Sequence, residues 1–446
     1  MKAQRIILLS LALLLLLSTV AACSPGHTGG NVIAYIRDGH LWTIDPDGAN
    51  AFEVESPDTP IIGYAWSPDH HLLVFRTLDS DFAKTRAGQH LPSGPVSGTI
   101  GDVPSALNTI GVDGGTPITI IGTQSNVEQS NAWWDSSGDR LLYRETLNTA
   151  SSPLAAFWYI SQSDQPGGIA RHLLPNSNAI PSINSAARLV AGTSQQGAFT
   201  TSITGNDQQF LISGHLAGHP LSASLERLLW QPGQSQPALL FALEASPQHQ
   251  TNSSSPLPVK LMLHTAAGTQ RIITTCTCQQ FAWAPDGQHI LTSTGATYTI
   301  FDLQGKVVAR ITGEVDSVPS WSPNNRFLLL DGKHSLQILN IQQNQSHLLL
   351  QDNQPLTTAP HQPINLASTA TLLQPLSNSP WSADSQQLVF LTRGRLNWPG
   401  QHLKPGLYTA SLTEQGTPQG SPQLVDEAND SQPGWTYQQP ETSFLF

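Results

Sequence analysis

The sequence predicts an all-β fold, a single β-propeller of eight four-stranded blades over residues 31–446. Three observations predict it. One unit, a tryptophan, a tight turn and an apolar strand, recurs as "YAWSPDHHLLVF" (64–75), "FAWAPDGQHILTS" (281–293), "PSWSPNNRFLLL" (319–330) and "SPWSADSQQLVFL" (379–391). Short alternating segments follow each copy and end at Asp or Gly, as a meander of hairpins requires. The chain also holds 35 Gly and 33 Pro with only 11% charged residues, and no long helical pattern runs through it. Repeats spaced by roughly 50 residues signal an architecture built from identical supersecondary units.

Taking each tryptophan as zero, Trp66 is followed by Leu73 and Phe75, Trp134 by Leu141 and Tyr143, Trp321 by Leu328 and Leu330, and Trp381 by Leu388 and Phe390. Residues two apart share one face of a strand, so the unit's second strand has one buried face. The intervening "SPDH", "APDG" and "SPNN" are turn formers, because Pro fixes φ at the first turn position while Asp, Asn and Gly tolerate the backbone angles of the later ones. Third strands are written as "HLWTIDPDG" (40–48), "LNTIGVDGG" (107–115) and "TYTIFDLQG" (297–305), with weaker copies at 335–343 and 406–416. Fourth strands come next as "PITIIG" (117–122) and "KVVARIT" (306–312). Units start near Trp66, Trp134, Asn184, Trp230, Trp283, Trp321, Trp381 and Trp435. That makes eight; seven is the alternative, since Asn184 stands where a tryptophan belongs. Residues 31–55 supply the second to fourth strands of a blade without a first. The segment around Trp435 supplies a first strand with almost nothing after it, and Ser443 to Phe446 read as surplus. Pairing the two ends would complete one blade and close the ring, covering two open edges.

The runs Trp66-Ser67-Pro68-Asp69, Trp283-Ala284-Pro285-Asp286-Gly287 and Trp321-Ser322-Pro323 resemble the TolB-like, WD40-like repeat family. The resemblance covers nearly all of residues 31–446 and implies a propeller fold. The family's namesake pairs the propeller with a separate N-terminal α/β domain. Here the repeats are expected to begin eight residues after Cys23, with no room for such a domain.

The N-terminus carries an address. Lys2 and Arg5 precede an apolar run, Ile6 to Val20, that is shorter than the roughly 20 residues a spanning helix needs. It reads as a signal peptide, residues 1–22. Val20-Ala21-Ala22-Cys23 has the form of a bacterial lipobox, with Cys23 as acceptor of a diacylglyceryl group; an incidental cysteine in an ordinary signal is the plainer alternative. Residues 23–30 are then a lipidated cysteine with a flexible spacer, and the chain is expected outside the cell, tethered to the membrane without spanning it. The net charge of −11, without a basic run, excludes nucleic acid as a partner.

Chemistry-bearing motifs are scarce. No Gly-x-Ser-x-Gly elbow or His-Glu-x-x-His run occurs. His215 with His219, and the His70-His71 doublet, have no third ligand in view and read as solvated histidines, while "DPDGAN" (45–50) lacks the oxygens of a calcium loop. No metal or cofactor is expected. Cys276 and Cys278 stand two apart on a strand, at the edge of disulfide reach; a disulfide, a soft-metal pair and two small half-buried residues are the alternatives. Two stretches, 78–105 and 351–377, exceed ordinary connections and are candidate recognition loops, with disorder as the alternative. The expected function is a non-catalytic, lipid-anchored scaffold that binds an envelope protein or a peptide. The alternative is a hydrolase or lactonase with its site in the central channel.

Overall fold

The computed structural model describes residues 32–444 apart from stretches at turns and connections, the longest being 87–100, 245–257, 352–364, 367–379 and 428–441. Among the described residues eight sheets carry four or more strands: six have four, one has five and one has six. Nearly all are antiparallel meanders of consecutive strands. The second sheet, for example, runs Ile61–Trp66, Leu72–Leu78, Ser105–Gly111, Ile118–Ile121. The poorly written unit at Asn184 also builds a full meander, Ser182–Asn184, Leu189–Ser194, Gly197–Ser202 and Gln209–Ser213.

The tryptophan repeat sets the register. Trp66 lies opposite Leu73, Trp134 opposite Leu141, Trp283 opposite Ile290, Trp321 opposite Leu328 and Trp381 opposite Leu388. The apolar residue seven positions on is thus the direct cross-strand neighbour. Trp230 pairs with Leu239, two residues later, because its turn is longer. The serine after the tryptophan has its own task. Ser67, Ser322 and Ser382 are fully buried, and each hydroxyl accepts the backbone N–H five residues on, at 2.8–2.9 Å. Ser322 and Ser382 also donate to Asn324 and Asp384, so the Ser-x-Asn or Ser-x-Asp spelling closes the turn by itself.

Successive sheets pack face to face. Ala34, Leu41 and Val54 of the first sheet share a cluster with Tyr64, Trp66 and Leu73 of the second. Val74 and Leu107 meet Trp134 and Leu141 of the third. Trp133, Ile183, Phe199, Leu240 and Trp283 run the core through the third to sixth sheets. Leu291 meets Leu328 of the seventh, and Phe327 meets Trp381 of the eighth. Val389, Leu407 and Val425 of the eighth then pack on Ile33, Tyr35 and Ile44 of the first. Hydrogen bonds repeat at these seams. The indole N–H of Trp134 donates to Ala65 O at 3.1 Å, that of Trp283 to Leu229 O at 2.9 Å and that of Trp381 to Ser320 O at 3.2 Å. Each acceptor is the residue before the previous unit's tryptophan. Glycines press sheet on sheet: Gly305, at φ +83°, would put a Cβ 2.7 Å from Ile273 O of the preceding sheet.

In all eight sheets the pairing of the third with the fourth strand carries a register shift. A bulge beside the outer strand twists that edge and makes it a poor template for another chain. The seventh sheet's edge is also covered by the hairpin Leu396–Trp398 and Gln401–Leu403, inserted from the eighth.

The first sheet is built from both ends of the chain. Thr442–Phe444 pairs antiparallel with Ile33–Arg37, Tyr35 opposite Thr442 and Ile33 opposite Phe444. The sequence pointed to the segment around Trp435 for this strand, with 443–446 as surplus. The pairing strand lies several residues later, and Trp435 lies outside the described residues.

Candidate recognition surface

In an antiparallel meander the first–second and third–fourth connections leave one end of the sheet, and the second–third and fourth–first connections leave the other. The longest connections at the former end are 367–386, in the eighth sheet, and the shorter 163–170 and 231–238. At the other end stand 79–104, 214–227, 245–258, 352–364 and 393–405. Between the described strands, most of the long insertions therefore emerge at one end of the sheets, with 367–386 as the exception.

The insertion 79–104 is built into the fold at both of its roots. It begins with a helix, Ser80–Arg86, that the sequence pattern did not disclose. Asp79 caps it, its carboxylate accepting the N–H groups of Asp81 and Phe82 at 3.0 and 2.9 Å. Phe82 and Ala83 pack on Ile62, Leu78 and Val103. The chain returns through Val103, which exchanges backbone hydrogen bonds with Gln129 of the third sheet. Asp102 accepts from Arg144 Nε at 2.8 Å and from Thr146 Oγ1 at 2.7 Å, with the aspartate side chain 8% exposed. Arg76, 1% exposed, donates to Gln129 O at 2.6 Å and Gly101 O at 3.2 Å. Charge-assisted bonds shielded from water are the strong class. They fix the insertion's C-terminal root to the seam between the second and third sheets.

Beside them lie Glu145 and the stacked pair Tyr143–Tyr159, ring centroids 5.9 Å apart. Tyr143 also bonds Ser161 at 3.0 Å. Burial pushes the Tyr143 phenol well above its ordinary range, and it pushes the Glu145 carboxyl up as well. The folded chain thus holds the Glu145 proton to higher pH than the unfolded chain does. Its contribution is fully present below the unfolded value of about 4.3 and is lost as pH rises through the folded value. Glu145→Gln is expected to abolish that loss, so its melting temperature gains on the parent's between about pH 4 and neutrality. An offset independent of pH would show a solvated carboxylate.

Two further polar groups sit at the same end. Arg37 Nη1 contacts both carboxylate oxygens of Asp426, at 3.0 and 2.9 Å, and Tyr35 donates to Asp426 at 2.9 Å, joining the first sheet to the eighth. His40 Nδ1 meets Glu53 Oε1, and Ser56 Oγ lies 3.2 Å from the same nitrogen. A nucleophile–base–acid relay uses both ring nitrogens, serine on one and acid on the other. Here both partners compete for Nδ1, so the trio has the residue types of a hydrolytic triad without its geometry.

Of the sequence-derived anchors, Trp66 and Trp381 are fully buried, and Trp134 and Trp283 are buried. Trp230 and Trp321 are half-buried, and their indole N–H groups have no partner among the described residues. Cys276 and Cys278 are joined by a disulfide with Cα atoms 5.1 Å apart. The regular strand ends at Cys276, which brings the second sulfur within reach. His215–Leu216 pairs with His219–Pro220, and His219 stands opposite Leu216 rather than His215. Cys23, His70 and most of 351–377 lie outside the described residues. Among the described residues no three His, Cys, Asp or Glu side chains gather as metal ligands. The arginines at the seam escaped notice, yet a signal existed: Arg76 and Arg144 both stand ten residues after their tryptophans, inside otherwise apolar strands.

No protein-family model and no curated protein matches the sequence. Solved structures do resemble the chain. A eukaryotic initiation factor structure is 12% identical and covers 93% of this chain and 98% of its own, with a TM-score of 0.51. An oligogalacturonate lyase from Vibrio parahaemolyticus is 10% identical over 84% of each chain, at 0.44. TolB from Acinetobacter baumannii is 14% identical over 72% of this chain and 63% of its own, at 0.35. The first likeness is one of fold alone, and the other two bear no weight. Its extent over both chains agrees with the packed meanders: the chain has a propeller-type, nearly all-β fold.

Proposed function

We propose that this chain is a lipid-tethered, non-catalytic scaffold: an eight-bladed ring, closed through its terminal strands, that presents its insertion end to an envelope protein or peptide. One observation carries the reading. Most of the large insertions between described strands leave one end of the sheets, and the one at 79–104 is rooted there by Arg76 and the Asp102–Arg144 pair. Loops held on a rigid frame are where recognition surfaces lie. Eight sheets of four or more strands, and the cluster joining the eighth to the first, support the blade count and the closure. The polarity also fits a tether. Ile33–Arg37 is the second strand of its sheet and begins at the end opposite most of the insertions. A chain anchored at Cys23 therefore enters at that end and turns the insertions away from the membrane.

The experiment compares photo-crosslinkers at two exposed positions in intact cells, Thr85 on the helix and Gln304 in a tight turn. Thr85 is expected to capture a discrete partner that Gln304 does not, and Cys23→Ala to leave an uncleaved or mislocalised precursor. Capture from Gln304 alone would reverse the assigned face, and a Cys23→Ala protein that stays with membranes at mature size would remove the anchor.

A further inference from the structure

We propose that the Cys276–Cys278 bond is a thiol–disulfide exchange site, an oxidant of dithiol peptides or proteins, and not a structural staple. The chain has three cysteines, and these two are bonded to each other across one intervening residue. Their Cα separation of 5.1 Å lies inside the ordinary range for a disulfide. What a disulfide adds to stability grows with the length of chain it closes, because it acts by restricting the unfolded state. A loop over one residue restricts it least. Neither end needs the bond for its position either. Cys276 is already held opposite Val259 in the ladder, and Cys278 is packed in the apolar cluster that contains Phe281 and Trp283. A bond of small structural consequence is free to break and re-form without loss of the fold.

The surroundings give the exchange a direction. Cys276 ends the outermost strand of its sheet, Gln270–Cys276, and is partly exposed, next to the exposed Thr277. Cys278 is 5% exposed. An incoming thiolate therefore reaches the sulfur of Cys276. It forms a new S–S bond there, the Cys276–Cys278 bond breaks, and its electron pair goes to Cys278 Sγ. A thiolate in an apolar cluster is disfavoured, so Cys278 takes up a proton from water and rests as a neutral thiol. The second thiolate of the substrate then attacks its own sulfur in the mixed disulfide and expels Cys276 as thiolate. The substrate leaves as a disulfide, and its two electrons remain on the protein as the dithiol.

The test uses the full chain in buffers of reduced and oxidised glutathione, with thiols alkylated and counted by mass spectrometry. The expected result is reduction of Cys276–Cys278 in the glutathione-reducing buffer, with an unchanged melting temperature. Oxidised protein should also convert a two-cysteine peptide to its disulfide mole for mole, an activity lost to the buffer rate in Cys276→Ser and Cys278→Ser. In Cys278→Ser a single-thiol glutathione adduct should form on Cys276. A bond that stays oxidised in the reducing buffer overturns the proposal, and so does one whose reduction unfolds the protein. Both readings come from the parent chain, so they hold even where a variant fails to fold.

Discussion

Trp381→Ala is expected to lower stability by about 3–5 kcal/mol, the range for deleting a large buried aromatic side chain. Trp381 is 0% exposed. Its ring stacks on Phe327 of the preceding sheet at 6.1 Å between centroids, and its N–H donates to Ser320 O. The alanine therefore leaves a cavity at a seam, with a buried carbonyl deprived of its donor. Trp381→Phe keeps most of the apolar fill and is expected to cost nearer ~1–3 kcal/mol, mainly for the lost hydrogen bond. Trp321→Ala is the control. That residue is half-buried and its indole N–H is unpartnered among the described residues, so the same deletion there should cost clearly less. Denaturant midpoints with matched slopes give the comparison. Equal losses at positions 321 and 381 would mean that the seam contacts contribute nothing beyond generic burial.

The contrast between those tryptophans shows what the sequence can specify. The repeat spelled out the hairpin: the partner seven residues on, the turn residues, and the serine that closes the turn are all local in the chain. It could not grade the copies. Whether an indole finds a carbonyl depends on the neighbouring unit, some fifty or more residues away, and Trp321 and Trp381 look alike in their own windows. The candidate surface was legible to the same degree. The length of 78–105 marked it as unusual, and Asp79 before a short run with Asp81 and Lys84 is a capping pattern in retrospect. The Asp102–Arg144 pair joins residues 42 apart, and nothing near Asp102 announces its partner. The terminal pairing was inferred from two incomplete blades. Its strand was misplaced because tryptophan marked most other first strands, whereas Thr442–Phe444 has none.

That terminal sheet carries the second large effect. Ending the chain after Glu427 removes Thr442–Phe444 and leaves the strand Ile33–Arg37 with an unpaired edge. The residues so exposed belong to the core: Ile33 and Ala34 are 0% exposed and Tyr35 is 4% exposed. Three ladder residues at roughly 1 kcal/mol per hydrogen bond, with the apolar surface of the strand added, put the cost on the order of 3 kcal/mol or more. The first sheet would keep a second hold on the eighth. Asp426 still binds Arg37 and Tyr35, Gln423 Nε2 still donates to Asp47 O at 2.9 Å, and Gly48 still sits 3.0 Å, as a virtual Cβ, from Val425 O. Arg37 is 38% exposed, so Asp426→Ala alone is expected to cost only about 1 kcal/mol after solvent screening. The two changes act on one seam and are expected to be more than additive, because each alone leaves the other to hold the first sheet in place. A cycle of parent, truncation, Asp426→Ala and the double change, followed by denaturant unfolding, measures that coupling. Should the truncated chain unfold at the parent midpoint, or the two losses simply add, the terminal strands do not close a ring and the first sheet is an appendage of the second.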